Sequence, residues 1–395
     1  RKASLYYEMK NNSKGFPADV TIHTSLDEVD SVEWNALVPP DSPALRYEFL
    51  SALEKSGCVA RETGWDPHHL GIYDRGKLTA AAPCYLKYHS YGEYIFDWDW
   101  VHAYRRAGIP YYPKVVITVP FTPITGKRIL THPDINYQPF ELKLAEATQN
   151  LANVKSASST HFLFTVSDDH IHLNQIGFIK RNANQFHWWN EGYNDFNDFL
   201  SALSSKRRKN ILKERSSIQK DGIIFRWLTG ETATENDWSF FSACYQNTIK
   251  EYGAISYLNV AFFKLLAQTM PKQIRLLIGQ KEGKDIAAAF FLAGENSLFG
   301  RYWGSTDKIR NLHFETCFYQ PIEYSINNKL GRFEAGAQGE HKLNRGLIPT
   351  IVSSMHWMKH PEFFDAIKKY SQSEKNNLAE YQTILENHSP YKKGR

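Results

Sequence analysis

The densest polar chemistry in the chain lies at Glu334–Gly346, which reads EAGAQGEHKLNRG. Gln338, Glu340, His341, Lys342 and Arg345 fall within eight positions of one another there. A carboxylate next to an imidazole supplies a proton acceptor, and lysine and arginine hold phosphate or carboxylate groups. Gly336 and Gly339 let the backbone turn sharply and approach a ligand. The segment begins in a strand predicted at Arg332–Ala337, and a polar, glycine-rich loop past a strand end is the usual composition of a binding site. A solvated loop has the same composition, so the spacing marks a candidate.

Glu315 is a second candidate. On a helix predicted over His313–Asn328, Glu315, Tyr319, Ile322 and Ile326 share one face. A carboxylate on an apolar face either pairs with a cation or rises in pKa, which is how general acids and bases are made. A carboxylate merely favoured by the helix dipole is the plain alternative. Pro321 predicts a kink in this helix.

The remaining candidates are cationic or aromatic. The loop Pro120–Arg128 (PFTPITGKR) offers Lys127 and Arg128, with backbone amides, as an anion cradle. It lacks the GxxxxGK[ST] spacing of a nucleotide P-loop. Lys206, Arg207 and Arg208 lie on a basic helix, Ser204–Lys220, suited to RNA or a coenzyme phosphate, or to a solvated face. Asp97 and Trp98 in EYIFDWDW, and Arg301 and Trp303 in SLFGRYWG, are read as cleft-lining or as paired core residues on two aromatic strands. GxSxG, HExxH and a GxGxxG after a strand are all missing, so Ser/His/Asp hydrolysis and Rossmann dehydrogenation have no support.

The elements that must position these residues come in two similar sets. Leu70–Leu86 reads LGIYDRGKLTAAAPCYL and Leu277–Leu292 reads LIGQKEGKDIAAAFFL. Each is an apolar strand, a polar turn closed by Gly-Lys, and a strand opening on three alanines, which predicts a β-hairpin. Gly76 and Gly283 stand 207 residues apart, half the chain length, which favours duplication of one domain. Helices are expected at Ala44–Ser56, Pro139–Asn153, Glu235–Tyr252 and Val260–Thr269, with a polar helical tail from Pro361. Strands are expected at Glu93–Trp100, Lys114–Phe121, His161–Ser167 and Ser297–Gly304. Mixed strands and helices in this order give an α+β class, with a join near Glu191–Asp198.

A length of 395 residues fits two domains, and 42% hydrophobic with 23% charged residues fits an ordinary globular chain. The longest apolar run, Ile286–Ala293, is too short to cross a bilayer. Cys58, Cys84, Cys244 and Cys317 are scattered, which argues against a disulfide framework or a metal cluster and makes a reducing, cytoplasmic setting the default. A net charge of +5 permits an anionic ligand without requiring nucleic acid.

The blocks GKLTAAAPCYLKYHSYGEYIFDW, VPFTPITGKRI, SSKRRKNILKER, GRYWG, HFETCFYQ and GAQGEHKLNRG resemble the FemAB-like N-acyltransferases of peptidoglycan biosynthesis or recognition, over about Ser42–His388. The resemblance implies two tandem GNAT-like domains, 15–192 and 193–390, each with a central, mostly antiparallel mixed sheet flanked by helices. Such domains splay two strands to admit an acyl donor, and GFIKR at 177–181 looks like a closing strand. The pyrophosphate loop [RQ]xxGx[GA] is missing, and the corresponding loop reads STDKIRNLH. Acyl-CoA and aminoacyl-tRNA therefore both stay open as donors, with a small-molecule or peptide amine as acceptor and no metal. On this reading Glu315 or Glu340 is the base, with His341 as partner or proton shuttle. Lys342 and Arg345 hold an acidic acceptor or the donor phosphate, Arg301 and Trp303 line the acceptor cleft, and tRNA is a partner of the basic helix. A non-catalytic binding protein for a peptide, glycan or RNA is the alternative.

Overall fold

The structure is a computed structural model that describes residues 20–132, 138–336 and 339–392. Its strands are β1 (Val20–His23), β2 (Trp65–Pro67), β3 (His69–Asp74), β4 (Lys77–Ala82), β5 (Cys84–Lys87), β6 (Lys114–Ile117), β7 (Leu130–Thr131) and β8 (Ser159–Thr165). They continue as β9 (Ile179–Trp189), β10 (Ile223–Thr229), β11 (Ile274–Lys281), β12 (Lys284–Ala293), β13 (Ser297–Ser305), β14 (Arg332–Glu334) and β15 (Ile348–Met358). The helices are α1 (Ser31–Leu37), α2 (Tyr47–Lys55), α3 (Trp98–Arg106), α4 (Gln138–Val154), α5 (Ser167–Gln175) and α6 (Phe196–Ala202). Then come α7 (Ser205–Lys220), α8 (Glu235–Glu251), α9 (Val260–Thr269), α10 (312–327) and α11 (Pro361–Asn387), with short 3-10 turns between elements.

Both expected hairpins form, as β3–β4 and β11–β12, and they match in register as well as in sequence. Ile72 pairs with Ala80, and 207 residues later Gly279 pairs with Ala287. A register shift follows at the same place in each copy, between Ile72 and Tyr73 and between Gly279 and Gln280. A shared bulge position is what one unit used twice produces. The alanines do what small residues on a strand permit: Ala80 and Ala82 lie in one core cluster with Leu144, Ala147 and Leu151 of α4. On β13, Gly304 serves α8 in the same way, since a Cβ there would sit 1.9 Å from the Cys244 carbonyl oxygen.

The copies diverge at Pro83. β12 is continuous, whereas its counterpart is split into β4 and β5 around a proline that has no N–H to give the ladder. β4 stays in a four-stranded sheet of order β1-β3-β4-β7. β5 joins an eleven-stranded sheet of order β10-β11-β12-β13-β14-β9-β15-β8-β6-β5-β2. Each half contributes one parallel pair bridged by a helix: β6 with β8 through α4, and β13 with β14 through α10. The last strands are exchanged. β9 of the first half pairs with β14, and β15 of the second lies between β9 and β8. The expected boundary at 192/193 falls in the loop after β9, and the sheet runs on through it. The fold class is α+β with two repeated halves, as expected; instead of a separate central sheet in each half, one eleven-stranded sheet runs through both, with the four-stranded sheet beside it in the first.

One local expectation is corrected. Glu93–Trp100 is not a strand: 93–97 are bends and irregular chain, and α3 begins at Trp98. Glu93 and Asp97 are both drawn in to the buried Lys114 ammonium, at 2.8 and 2.5 Å, which bends the backbone between them. Pro321 lies just beyond a π-helical turn, Glu315–Tyr319, in which the Gln320 N–H bonds the Glu315 carbonyl. The widened turn sets the proline ring where the ladder has already been rearranged.

A cleft at the fork of the second half

β13 and β14 pair in parallel at Ser297–Arg332, Leu298–Phe333 and Phe299–Glu334, and then part. β13 continues along β12 to Ser305, while the chain after Glu334 turns away through Gly336 and Gly339 into a 3-10 turn, Glu340–Arg345. The opening is a cavity of about 180 Å³, and Arg301, Trp303, His313, Cys317, His341 and Lys342 are among its walls. Arg301 is the extra residue of a bulge, since Phe290 faces Tyr302 and Phe291 faces Gly300. Bulges of this kind re-aim a side chain at a sheet opening. The Arg301 guanidinium donates to the Phe121 carbonyl, which also accepts from the Tyr302 hydroxyl at 3.0 Å. Gly339 has φ +115°, and a Cβ there would sit 2.5 Å from Cε1 of His341, so this glycine makes room for the ring.

The electrostatics of the cleft follow from burial among cations. Burial pulls the Lys342 ammonium down to about 8, although Nζ still donates to the Gly336 carbonyl at 2.9 Å. Burial, then Arg345 and Lys342, hold His341 below its usual value of 6.5. Burial, with His341, Arg345 and Lys342 nearby, brings His313 to about 4. The His313 ring lies tilted against Trp303 at 4.5 Å and against His341 at 6.1 Å, centre to centre. At neutral pH the cleft thus presents two uncharged imidazoles beside one protonated lysine. That set can accept a proton and stabilise a developing oxyanion.

The other sequence candidates lie elsewhere. Glu315 is buried and saturated. Arg215 Nη2 donates to it at 2.9 Å, Arg215 Nε at 3.1 Å and Gln320 at 2.8 Å. Its oxygens already hold donors, so it anchors α7 to α10 and is not a free proton acceptor. Glu340 accepts from the Tyr381 hydroxyl of α11. Arg345 binds Glu214 at 3.0 Å and lies 3.3 Å from the centre of the Phe314 ring, which also ties α7 to the cleft wall. Gln338 lies outside the described residues. Asp97 belongs to the first half, in the cluster with Lys114, Glu93 and the Tyr111 hydroxyl at 2.7 Å. Trp98 is exposed beside Tyr91. Lys206, Arg207 and Arg208 line α7 and make no ion pair among the described residues. Lys127 is partly exposed, 3.9 Å from Glu141.

Arg128 needs a correction. It is buried, and its guanidinium donates to the carbonyls of Leu163 (2.7 Å), Ile124 (2.6 Å), Gly126 (3.1 Å) and Lys127 (3.2 Å). Four of its five N–H donors are spent on these carbonyls inside the protein, so it is not set out for an anion. What Arg128 does instead is close the first-half fork. The parallel pair β6–β8 is registered from Val115–Thr160 to Ile117–Phe162, and residues 118–129 then fold back into the opening. The Gly126 N–H bonds the Phe164 carbonyl, and Arg128 bonds that of Leu163, both on β8. The equivalent opening of the second half is left to Trp303, His313 and His341.

Sequence reading missed His313, Cys317 and Glu334. His313 stands at the start of a helix and reads as an ordinary helix residue. Cys317 reads as isolated because its cleft partners come from other elements. Glu334 ends β14 at the point of divergence, buried, with neither oxygen hydrogen-bonded. Arg332 is 3.2 Å away and His187 3.8 Å. Burial pushes its carboxyl up to about 7. Its signal was the strand-ending position, which only the parallel pairing makes meaningful.

Among the described residues no helix is long and apolar enough to cross a membrane, and no group of three or more His, Cys, Asp or Glu could hold a metal ion. A family model, that of the FemAB-like proteins of peptidoglycan biosynthesis/recognition, matches residues 25–393. No curated protein matches the sequence. Among solved structures, FemX superposes with a TM-score of 0.52 at 9% identity, covering 89% of this chain and 100% of FemX. A C-terminal domain named for lysylphosphatidylglycerol synthetase, from Agrobacterium fabrum, gives 0.52 at 10% identity, covering 87% of this chain and 96% of that one. At these identities the likeness is one of fold.

Proposed function

The chain belongs to the FemAB-like family, and from that premise we propose that it is an N-acyltransferase working at the second-half fork. It moves an acyl or aminoacyl group from an activated donor to an amine. The observation that carries this reading is the fork itself. Two parallel strands part beside a neutral imidazole and a buried ammonium, while the matching fork of the first half is filled by its own chain. The acceptor nitrogen attacks the acyl carbon, forming the C–N bond. The proton it sheds passes to His341. Lys342 and backbone N–H groups steady the oxyanion until the C–S or C–O bond to the donor breaks, and the leaving group takes a proton back. Much of the rate then comes from holding both substrates together in the cleft.

A second reading concerns the donor. α7 carries Lys206, Arg207, Arg208, Lys209 and Lys213, which make no ion pair among the described residues, and it is fastened to the cleft by Arg215–Glu315 and Glu214–Arg345. That face favours a polyanionic donor such as an aminoacyl-tRNA. A thermal-shift titration with acetyl-CoA, longer acyl-CoAs, desulfo-CoA and aminoacyl-tRNA separates the donors. At 100-fold over its Kd a ligand adds about 2.7 kcal/mol to stability. The transferase reading expects a saturable shift with one class, and the His341→Gln variant is expected to keep that shift and lose turnover. A binding protein without catalysis follows if no donor of either class shifts the transition.

A further inference from the structure

A second cavity among the described residues is larger than the fork. It lies between α11 and the central strands β9 and β15, measures about 450 Å³, and includes Phe96, Arg181, Asn184, Ser354, Glu374 and Tyr381 in its lining. That volume is in the range of small-molecule sites, about 300–1,000 Å³. It reaches the fork through one residue step, because Tyr381 on its wall bonds Glu340, the neighbour of His341.

The chemistry of the walls narrows the occupant. The only cation in the lining, Arg181, is already consumed. It grips Glu374 through Nε at 2.7 Å and Nη2 at 2.8 Å, and donates to the Phe96 carbonyl at 2.7 Å. A ligand bearing phosphate or carboxylate finds no free positive partner there. The side-chain oxygen of Asn184 is buried with no hydrogen-bond partner, which asks for an O–H or N–H donor from the occupant. Phe96 in this lining is 54% exposed, and the rings of Tyr94 and Tyr381 share the wall with it. Flat aromatic faces beside an amide acceptor suit the ring of a sugar, whose C–H face is apolar and whose edge carries hydroxyl donors. At the fork end the Glu340 carboxylate accepts from the Tyr381 hydroxyl of the cavity wall, and its negative charge favours an ammonium nearby.

We infer that this cavity is the acceptor subsite and that it takes a saccharide without acidic groups that carries a free primary amine, a glucosamine-type residue, with the amine directed toward Glu340 and His341. The identity of the amine as the acylated group rests on the transferase reading; the saccharide binding does not.

Calorimetric titration of the full chain with the β-1,4-linked tetramer of glucosamine, and with its N-acetylated counterpart, tests this without any donor. The glucosamine tetramer is expected to bind. Phe96→Ala, at an exposed ring that folding does not need, is expected to weaken it at least fivefold, and Asn184→Leu at least tenfold. Glu340→Gln should weaken the free-amine tetramer at least fivefold and leave the acetylated one unchanged. No binding of either tetramer at millimolar concentration overturns the inference. So does binding that all three substitutions leave unaltered. Binding that follows this pattern in a protein which no acyl donor shifts would sustain the subsite and remove the transferase reading.

Discussion

Replacing Arg128 by methionine separates the sequence expectation from the structure. As a phosphate ligand its loss would leave folding intact and weaken donor binding. As the brace of the first-half fork it holds four carbonyl oxygens, at 2.6 to 3.2 Å, in a buried setting. Hydrogen bonds from a charged donor contribute about 1.5–3 kcal/mol each, and a stranded buried acceptor costs about 1–3 kcal/mol. Against that, burial opposes the guanidinium, whose pKa it pulls down to about 10, so removing the charge returns part of the cost. A net loss of about 3–5 kcal/mol follows, a large fraction of a usual folding stability of about 5–15 kcal/mol. With an unfolding entropy of about 2.1 cal/mol/K per residue, the melting temperature of the whole chain falls by about 4–6 °C. Urea and thermal unfolding read the loss directly, and Arg128→Lys, with fewer donors in the wrong geometry, recovers less than half of it. A methionine variant as stable as the parent but with reduced affinity for the donor would refute the brace and restore the ligand.

Three further outcomes follow from the geometry. Gly339→Ala should cut turnover at least tenfold, because its Cβ displaces the His341 ring, while Gly336→Ala, which meets nothing closer than 4.0 Å, should lose only the cost of its left-handed backbone, read by parallel kinetics and melting of both variants. Glu315→Gln should cost about 1–3 kcal/mol in urea unfolding by loosening Arg215, yet keep turnover within about threefold at 20 °C, and a loss of turnover without loss of stability would return Glu315 to the chemistry. His161 and His356 share a 2.7 Å Nδ1–Nδ1 contact, and burial, with His161, Arg181 and Lys114 nearby, holds both well below 6.5. The unfolded chain therefore binds protons that the native state refuses once the pH falls under 6.5, so the stability present above that pH is lost on acidification. Each histidine adds about 1.4 kcal/mol per pH unit to the slope, and His356→Gln should remove one such share.

The legible parts of the molecule were the local ones. The two hairpins, α8, α9, α10 and the strand leading into β14 follow from patterns within about twenty residues, because turn chemistry and helical spacing act over that range. The Gly-Lys turns and triple alanines went further and gave the duplication, confirmed by the shared bulge after Ile72 and Gly279. What sequence did not carry was pairing at long range. Arg215 and Glu315 are 100 positions apart, so a carboxylate that looked free is paired. Arg128 looked like a surface cation because nothing local announces that 118–129 fold into a fork. The exchange of β9 and β15 leaves no mark in either strand. Of the candidates in the Glu334–Gly346 segment, His341 and Lys342 reach the cleft, and Glu340 and Arg345 turn outward to Tyr381 and Glu214. Neighbours in a 3-10 turn face different ways, and only the packing around them says which way is in.

The pH dependence of single-turnover acyl transfer, with the donor that the titration selects and an acceptor amine that ionises well below an imidazole, such as semicarbazide, tests the central claim most directly. The rate is predicted to rise through a limb below 6.5 as His341 loses its proton, and to fall near pH 8 as Lys342 loses the charge that steadies the oxyanion. In Lys342→Arg, which stays charged, the alkaline limb should vanish while the acid limb stays. An alkaline limb that survives unchanged in Lys342→Arg would place the chemistry away from this fork.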